Sequence, residues 1–136
     1  MANEKIKGAG FHHVALRTTD LNKSLEFYKG LGMKEVVRWG KDELEIVMLD
    51  IGDGGIIELF ANRGVDYPAE GRWQHFAIGV DDVEAAYELA LSLGGKPAIA
   101  PKTVPLDDAR PAPIAIQVAF VEGPDGEQVE FFKRVY

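Results

Sequence analysis

Apolar and polar positions alternate at residues 12–17 and again at 74–80, which is the period of a half-buried strand. Each run leads into an aspartate, Asp20 or Asp82, and then into apolar residues at helical spacing. In the first helix these are Leu21, Leu25 and Tyr28; in the second they are Val83, Ala86, Leu89, Ala90 and Leu93. An aspartate before such a run is a good N-cap, and Gly30 or Gly32 and Gly94-Gly95 supply the C-terminal stops. Three further strands follow in each half, at about 34–39, 43–50 and 55–61, then 97–100, 114–121 and 127–134. Asp53-Gly54 and Asp125-Gly126 are expected to make tight turns between the last two strands of each half.

The two halves are one unit repeated. His13-Val14-Ala15-Leu16 answers His75-Phe76-Ala77-Ile78, an offset of 75 − 13 = 62 residues that also carries Asp20 onto Asp82 and Gly32 onto Gly94. Ile57-Glu58-Leu59-Phe60 answers Val129-Glu130-Phe131-Phe132 at an offset of 130 − 58 = 72. The ten extra residues fall between Gly94 and Asp125, where Pro97, Pro101, Pro105, Pro111 and Pro113 predict a long irregular connection. The fold class is therefore α+β, two tandem βαβββ repeats whose curved sheets form a metal-binding cup. One domain is expected over 1–136, with repeat one at about 11–62 and repeat two at about 73–134.

Strand alternation puts His13, Ala15 and Arg17 on one face and Val14 and Leu16 on the helix-facing side. By the same rule His75 shares a face with Ala77 and Gly79, Glu58 with Phe60 and Asn62, and Glu130 with Phe132. His13, Glu58, His75 and Glu130 are thus one histidine and one glutamate per repeat. Two neutral imidazoles and two carboxylates suit one divalent first-row ion and leave positions open for substrate. Taken singly, each has a bland reading, a core histidine or a solvent-facing glutamate. Glu58 and Glu130, however, lie among apolar neighbours where a lone carboxylate is costly, and they occupy equivalent places in the repeat. His12 is expected on the helix side in a structural role, and Lys102 in the proline-rich connection as a solvated lysine. Trp39 and Trp73 fit core, rim or contact equally well.

Composition narrows the chemistry. With no cysteine, disulfides, thiolate metal sites and a cysteine nucleophile are excluded. A net charge of −7 without a basic cluster argues against nucleic acid and favours a small-molecule substrate. The polar opening MANEKIKGAG and the lack of any 18-residue apolar run predict no membrane span and a cytoplasmic protein.

The segments HHVALRTTDLNKSLEFYKGLGMK, QHFAIGVDDVEAAYELALSLGGK and VEGPDGEQVEFF resemble the two halves of glyoxalase I and its relatives in the vicinal oxygen chelate superfamily. The resemblance runs from about residue 11 to 134. It implies the His-Glu-His-Glu ligand set of glyoxalase I, where methylmalonyl-CoA epimerases usually have Gln in place of Glu58. It also implies that Arg17 and Asn62, each four residues past a ligand, contact the glutathione moiety. The implied activity is that of a lactoylglutathione lyase: isomerisation of a methylglyoxal–thiol hemithioacetal to a 2-hydroxyacyl thioester through an enediolate. Glu58 or Glu130 would be the base, with nickel or cobalt favoured, zinc admitted, and glutathione or another thiol as cosubstrate. Two exposed sheet edges, together with the resemblance, predict a homodimer. An epimerase, a thiol transferase or a ligand-sequestering resistance protein are the alternatives on the same scaffold. The departure from the family lies after Gly95, where the family's glycine-rich segment following a lysine is replaced by PKTVPLDDARPAPIAIQ.

Overall fold

The computed structural model describes residues 2–30, 32–123, 126 and 128–135. Its elements run β1 (Gly10–Arg17), α1 (Leu21–Gly30), β2 (Lys34–Trp39), β3 (Ile46–Asp50), β4 (Ile56–Phe60), β5 (Trp73–Gly79), α2 (Val83–Ser92), β6 (Lys96–Leu106), β7 (Ile114–Glu122) and β8 (Gln128–Val135). This is βαβββ twice, as the repeat requires. The chain divides into two compact units: residues 13–74 with 108–113, and residues 1–12 with 75–107 and 114–136.

In the first unit β1 pairs parallel with β4, and β3 and β2 follow antiparallel. In the second, β5 pairs parallel with β8, and β7 and β6 follow antiparallel. The topologies are identical. The helix stands on the apolar face of its own sheet. Leu21 and Leu25 pack with Val47, Leu49, Ile57 and Leu59; Val14 and Leu16 join them. Val83, Ala86 and Tyr87 pack with Ala119, Val121 and Phe131.

Both predicted caps form. The Asp20 carboxylate accepts from the Lys23 amide at 3.1 Å, and that of Asp82 from the Ala85 amide at 2.9 Å. After each helix a glycine takes the left-handed conformation, Gly32 at φ +96° and Gly94 at φ +97°, so the chain can reverse without a Cβ clash. The buried stripe of α2 differs from the sequence reading. Tyr87 and Leu91 turn inward, and Leu93, just past the helix, is 78% exposed. Positions 83, 86, 87, 90 and 91 are the stripe that 3.6 residues per turn places over one sheet.

Three other expectations are corrected. The proline-rich segment is not an irregular connection up to 113: β6 is an 11-residue strand with register shifts between Pro97 and Lys102. Within its sheet β6 pairs with β7 alone, and prolines are tolerated on an edge strand because its outer amides have no ladder to join. Strand β3 starts at Ile46 rather than 43, because Asp42–Leu44 forms a 3₁₀ turn. Asp53-Gly54 lies in a five-residue loop between β3 and β4, fastened by the Asp50 carboxylate to the amides of Gly52 and Gly54. Asp125 lies outside the described residues.

Residues 108–113 belong to the first unit, where they run beside β2. Arg38 and Arg110 exchange two backbone hydrogen bonds, and the Asp108 carboxylate accepts from the Gly40 amide at 2.7 Å. Gly40 has φ +74°, and a Cβ there would stand 2.3 Å from the Leu44 carbonyl oxygen, so only glycine fits this corner.

Candidate metal-ligand pairs and an arginine-lined cavity

Pairing register decides what faces what. In the first unit Ala15 lies opposite Glu58, which lies opposite Met48. In the second, Ala77 lies opposite Glu130, which lies opposite Phe120. Both alanines are fully buried, and a methyl group beside each glutamate leaves room for the imidazole one step along the strand. His13 Nε2 stands 3.4 Å from Glu58 Oε1, and His75 Nε2 stands 3.1 Å from Glu130 Oε1. All four residues are under 9% exposed. The Phe120 ring meets that of His75 edge-on at 5.2 Å and limits its rotation.

Each unit thus buries one imidazole nitrogen beside one carboxylate oxygen, aimed at each other from neighbouring strands. Burying such a pair is expensive unless its charges are compensated, and nitrogen with oxygen is the donor chemistry of a divalent first-row metal. The residues fit the metal that the donor types imply.

His12 departs from expectation. Its ring stacks on Phe132 with centroids 4.2 Å apart, and its Cβ lies 3.7 Å from where a Cβ on Gly79 would stand. Gly79 shares a strand face with His75 on β5 and Phe132 with Glu130 on β8, so His12 meets the face that carries His75 and Glu130. Lys102 stands in β6 rather than in an irregular connection, opposite Val118, and its side chain is exposed as expected of a solvated lysine.

Arg17 and Asn62 line one cavity of about 200 Å³ in the first unit, together with Arg63, Tyr67 and Arg72. The Arg17 guanidinium lies 4.2 Å over the Tyr67 ring and donates to the Gly71 carbonyl at 2.8 Å. Asn62 lies beyond the end of β4, where strand alternation no longer applies. Its amide nitrogen donates to the Thr19 carbonyl at 3.1 Å, and its oxygen accepts from the Gly64 amide at 2.8 Å. Arg63 and Arg72 carry no repeat or strand-face pattern in the sequence that singles them out. The visible signal was that Arg63 directly follows Asn62, and that Arg72 stands three residues before His75.

Residues 10–131 match the family pattern of the Glyoxalase/Bleomycin resistance protein/Dioxygenase superfamily, and the chain belongs to that superfamily. Among its relatives, a lactoylglutathione lyase of Haemophilus influenzae is 34% identical over 90% of both chains. A probable lactoylglutathione lyase of Vibrio cholerae is 32% identical over 98% of this chain and 94% of its own. The methylmalonyl-CoA epimerase of Mycobacterium tuberculosis has the same fold, with a TM-score of 0.71 at 22% identity over 97% of this chain and 91% of its own. Among the described residues no helix is long and apolar enough to cross a membrane.

Proposed function

We propose that the chain is a metal-dependent lyase of the glyoxalase I type, acting on the hemithioacetal of methylglyoxal or a related α-oxoaldehyde with a thiol. The observation that carries this reading is the duplicated, buried His–Glu pair, His13 with Glu58 and His75 with Glu130. Glutamate rather than glutamine at 58 and the two lactoylglutathione lyase relatives support the choice within the superfamily.

In this reading the four residues hold one divalent ion, and the two repeats act as a single domain. When bound, that ion polarises the substrate oxygens and makes the adjoining C–H acidic. The chain's own share is the proton. A carboxylate oxygen of Glu58 or Glu130 takes the proton from the hemithioacetal carbon and returns it to the neighbouring carbon; an enediolate stands between the transfers. Burial at 6% and 5% exposure shields that carboxylate from water, so the proton is returned rather than lost. Arg17 and Asn62 receive the polar end of the thiol. Nickel or cobalt as the preferred ion, glutathione as the thiol, a homodimer and a cytoplasmic location complete the proposal.

The test is a chelated and reconstituted enzyme assayed with methylglyoxal, with and without glutathione. Thioester formation that needs both metal and thiol is the expected result. Metal-dependent proton exchange on a substrate without a thiol would move the assignment to an epimerase. A chain that carries metal and turns nothing over would make it a sequestering protein.

A further inference from the structure

The two buried histidines are not held alike. A histidine ring turns through a broad torsion about its last side-chain bond, so its nitrogens keep a fixed place only where packing fixes the plane. His13 is 0% exposed and is walled on every side; His75, at 8%, keeps an open edge. Ala77, two residues along β5 and opposite Glu130, is too short to orient the ring. Phe120 does so. Its ring lies 5.2 Å from the imidazole with the planes at 85°, the edge-on arrangement that aromatic pairs favour. It reaches His75 across Glu130, which it opposes in the β7–β8 ladder. On its other side stands Ile99, in the long edge strand β6. Ring, carboxylate and imidazole thus form one cluster within the second unit.

The first unit has no such ring. Opposite Glu58 stands Met48, and opposite Met48 stands Val37. A thioether on three rotatable bonds fills space without setting a plane. The first histidine is therefore confined by enclosure, and the second by a directed aromatic contact. The His75–Glu130 pair is also the closer of the two, at 3.1 Å against 3.4 Å for His13–Glu58.

We propose that Phe120 is a positioning residue: it holds the His75 imidazole toward Glu130 before an ion arrives, so that the second unit's half of the donor set is preformed, a task with no counterpart at Met48. An imidazole that must first be turned and held takes part of the binding energy of the ion, as happens when a ligand loses an outer-shell partner. The proposal rests on the lyase reading only in taking the His–Glu pairs as metal donors. The orientation of the ring stands apart from it.

Three variants of the full-length protein test it. Phe120→Met copies the row of the first unit, Phe120→Tyr keeps the ring, and Met48→Leu is the matched change in the first unit. Zinc affinity is read by competition with a chromophoric chelator, and the His75 ring by NMR of the metal-free protein. Phe120→Met should weaken zinc by about tenfold or more, while Phe120→Tyr restores it and Met48→Leu leaves it nearly unchanged. The parent should give one sharp set of His75 ring signals with cross-relaxation to Phe120. Phe120→Met should broaden or double that set and leave the His13 signals as they were. Should Phe120→Met melt well below the parent, Phe120→Leu takes its place in the same comparison. Zinc bound as tightly by Phe120→Met as by the parent, a loss equalled by Met48→Leu, or a His75 ring that already turns freely in the metal-free parent would overturn the proposal. A parent that binds no zinc ends the four-ligand reading, and the ring signals still decide this one.

Discussion

The two units share a topology and a buried His–Glu pair, and they differ in what surrounds it. Four residues after its histidine the first unit has Arg17, and the second has Gly79; four after its glutamate the first has Asn62, and the second Arg134. The row through the glutamate runs on to Met48 and Val37 in one and to Phe120 and Ile99 in the other. The first unit opens an arginine-lined cavity past the ends of β1 and β4. The second packs His12 and Phe132 into the equivalent space above Gly79. A duplicated unit can keep its buried His–Glu pair symmetric while a cavity opens on one side only, because the pair needs only its own strand register and a cavity needs one set of neighbours.

The most direct way to break this comparison is to remove the ligands one at a time. His13→Ala, Glu58→Ala, His75→Ala and Glu130→Ala should each sharply reduce the expected ion per chain. Each should also cut turnover by about 100-fold or more, beyond what the loss of an outer-shell partner does. Metal analysis of the purified variants checks this. Full retention in both variants of one unit would make the pairs inequivalent and sink the four-ligand reading. His12→Ala should leave metal content unchanged.

A smaller effect sharpens the asymmetry. Arg17→Ala should raise KM by about tenfold with metal content intact, the loss of one charged hydrogen-bonding partner. Its counterpart Gly79→Ala should leave KM unchanged and stability within about 0.5 kcal/mol. The new methyl would meet only ordinary contacts, 3.6 Å to the His12 ring and 3.8 Å to the Gly10 oxygen. A rise in KM in both variants would show recognition spread over both units.

Next in size is the fastening of residues 108–113 beside β2, a feature of the first unit alone. The Arg110 guanidinium reaches the Gly40 carbonyl at 3.3 Å and Glu45 at 3.1 Å. Being exposed, these contacts should contribute about 1 kcal/mol, so Arg110→Ala should lower Tm by a few degrees in a thermal melt.

The smallest effect is a pH dependence, also confined to the first unit. Hydrogen bonding to Arg38 lowers the Glu35 carboxyl from 4.5 to about 2, with Lys29 adding to the effect against the opposing desolvation. A carboxyl lowered by folding stabilises the native state above its unfolded value, and that contribution disappears as pH falls from about 4.5 to about 2. Glu35→Gln should therefore flatten the loss of stability across that window by ~1 kcal/mol or less, given the solvent screening of a surface pair. Denaturant melts at several pH values measure it.

Much of this protein was legible in the chain. The repeat of His-x-Ala with Asp at the cap, glycine at the stop and Glu in the last strand gave βαβββ twice and picked out both buried His–Glu pairs. Those features are local: strand alternation, helix period and capping depend on residues a few positions apart. What the sequence could not supply came from partners far along the chain. Beyond the strand expected at 97–100, residues 101–106 read as punctuation because of their prolines, yet β7 holds them in the same edge strand. His12 followed alternation in the reading and broke it in the fold, because only the fold sets it beside Gly79 and Phe132. Asn62 lost its strand face at the end of β4, and Arg72 gained a place beside Arg17 through contacts 55 residues apart. Periodicity tells which way a side chain points while the strand lasts; which side chains it meets is decided by the partner strand and the loops that close over it.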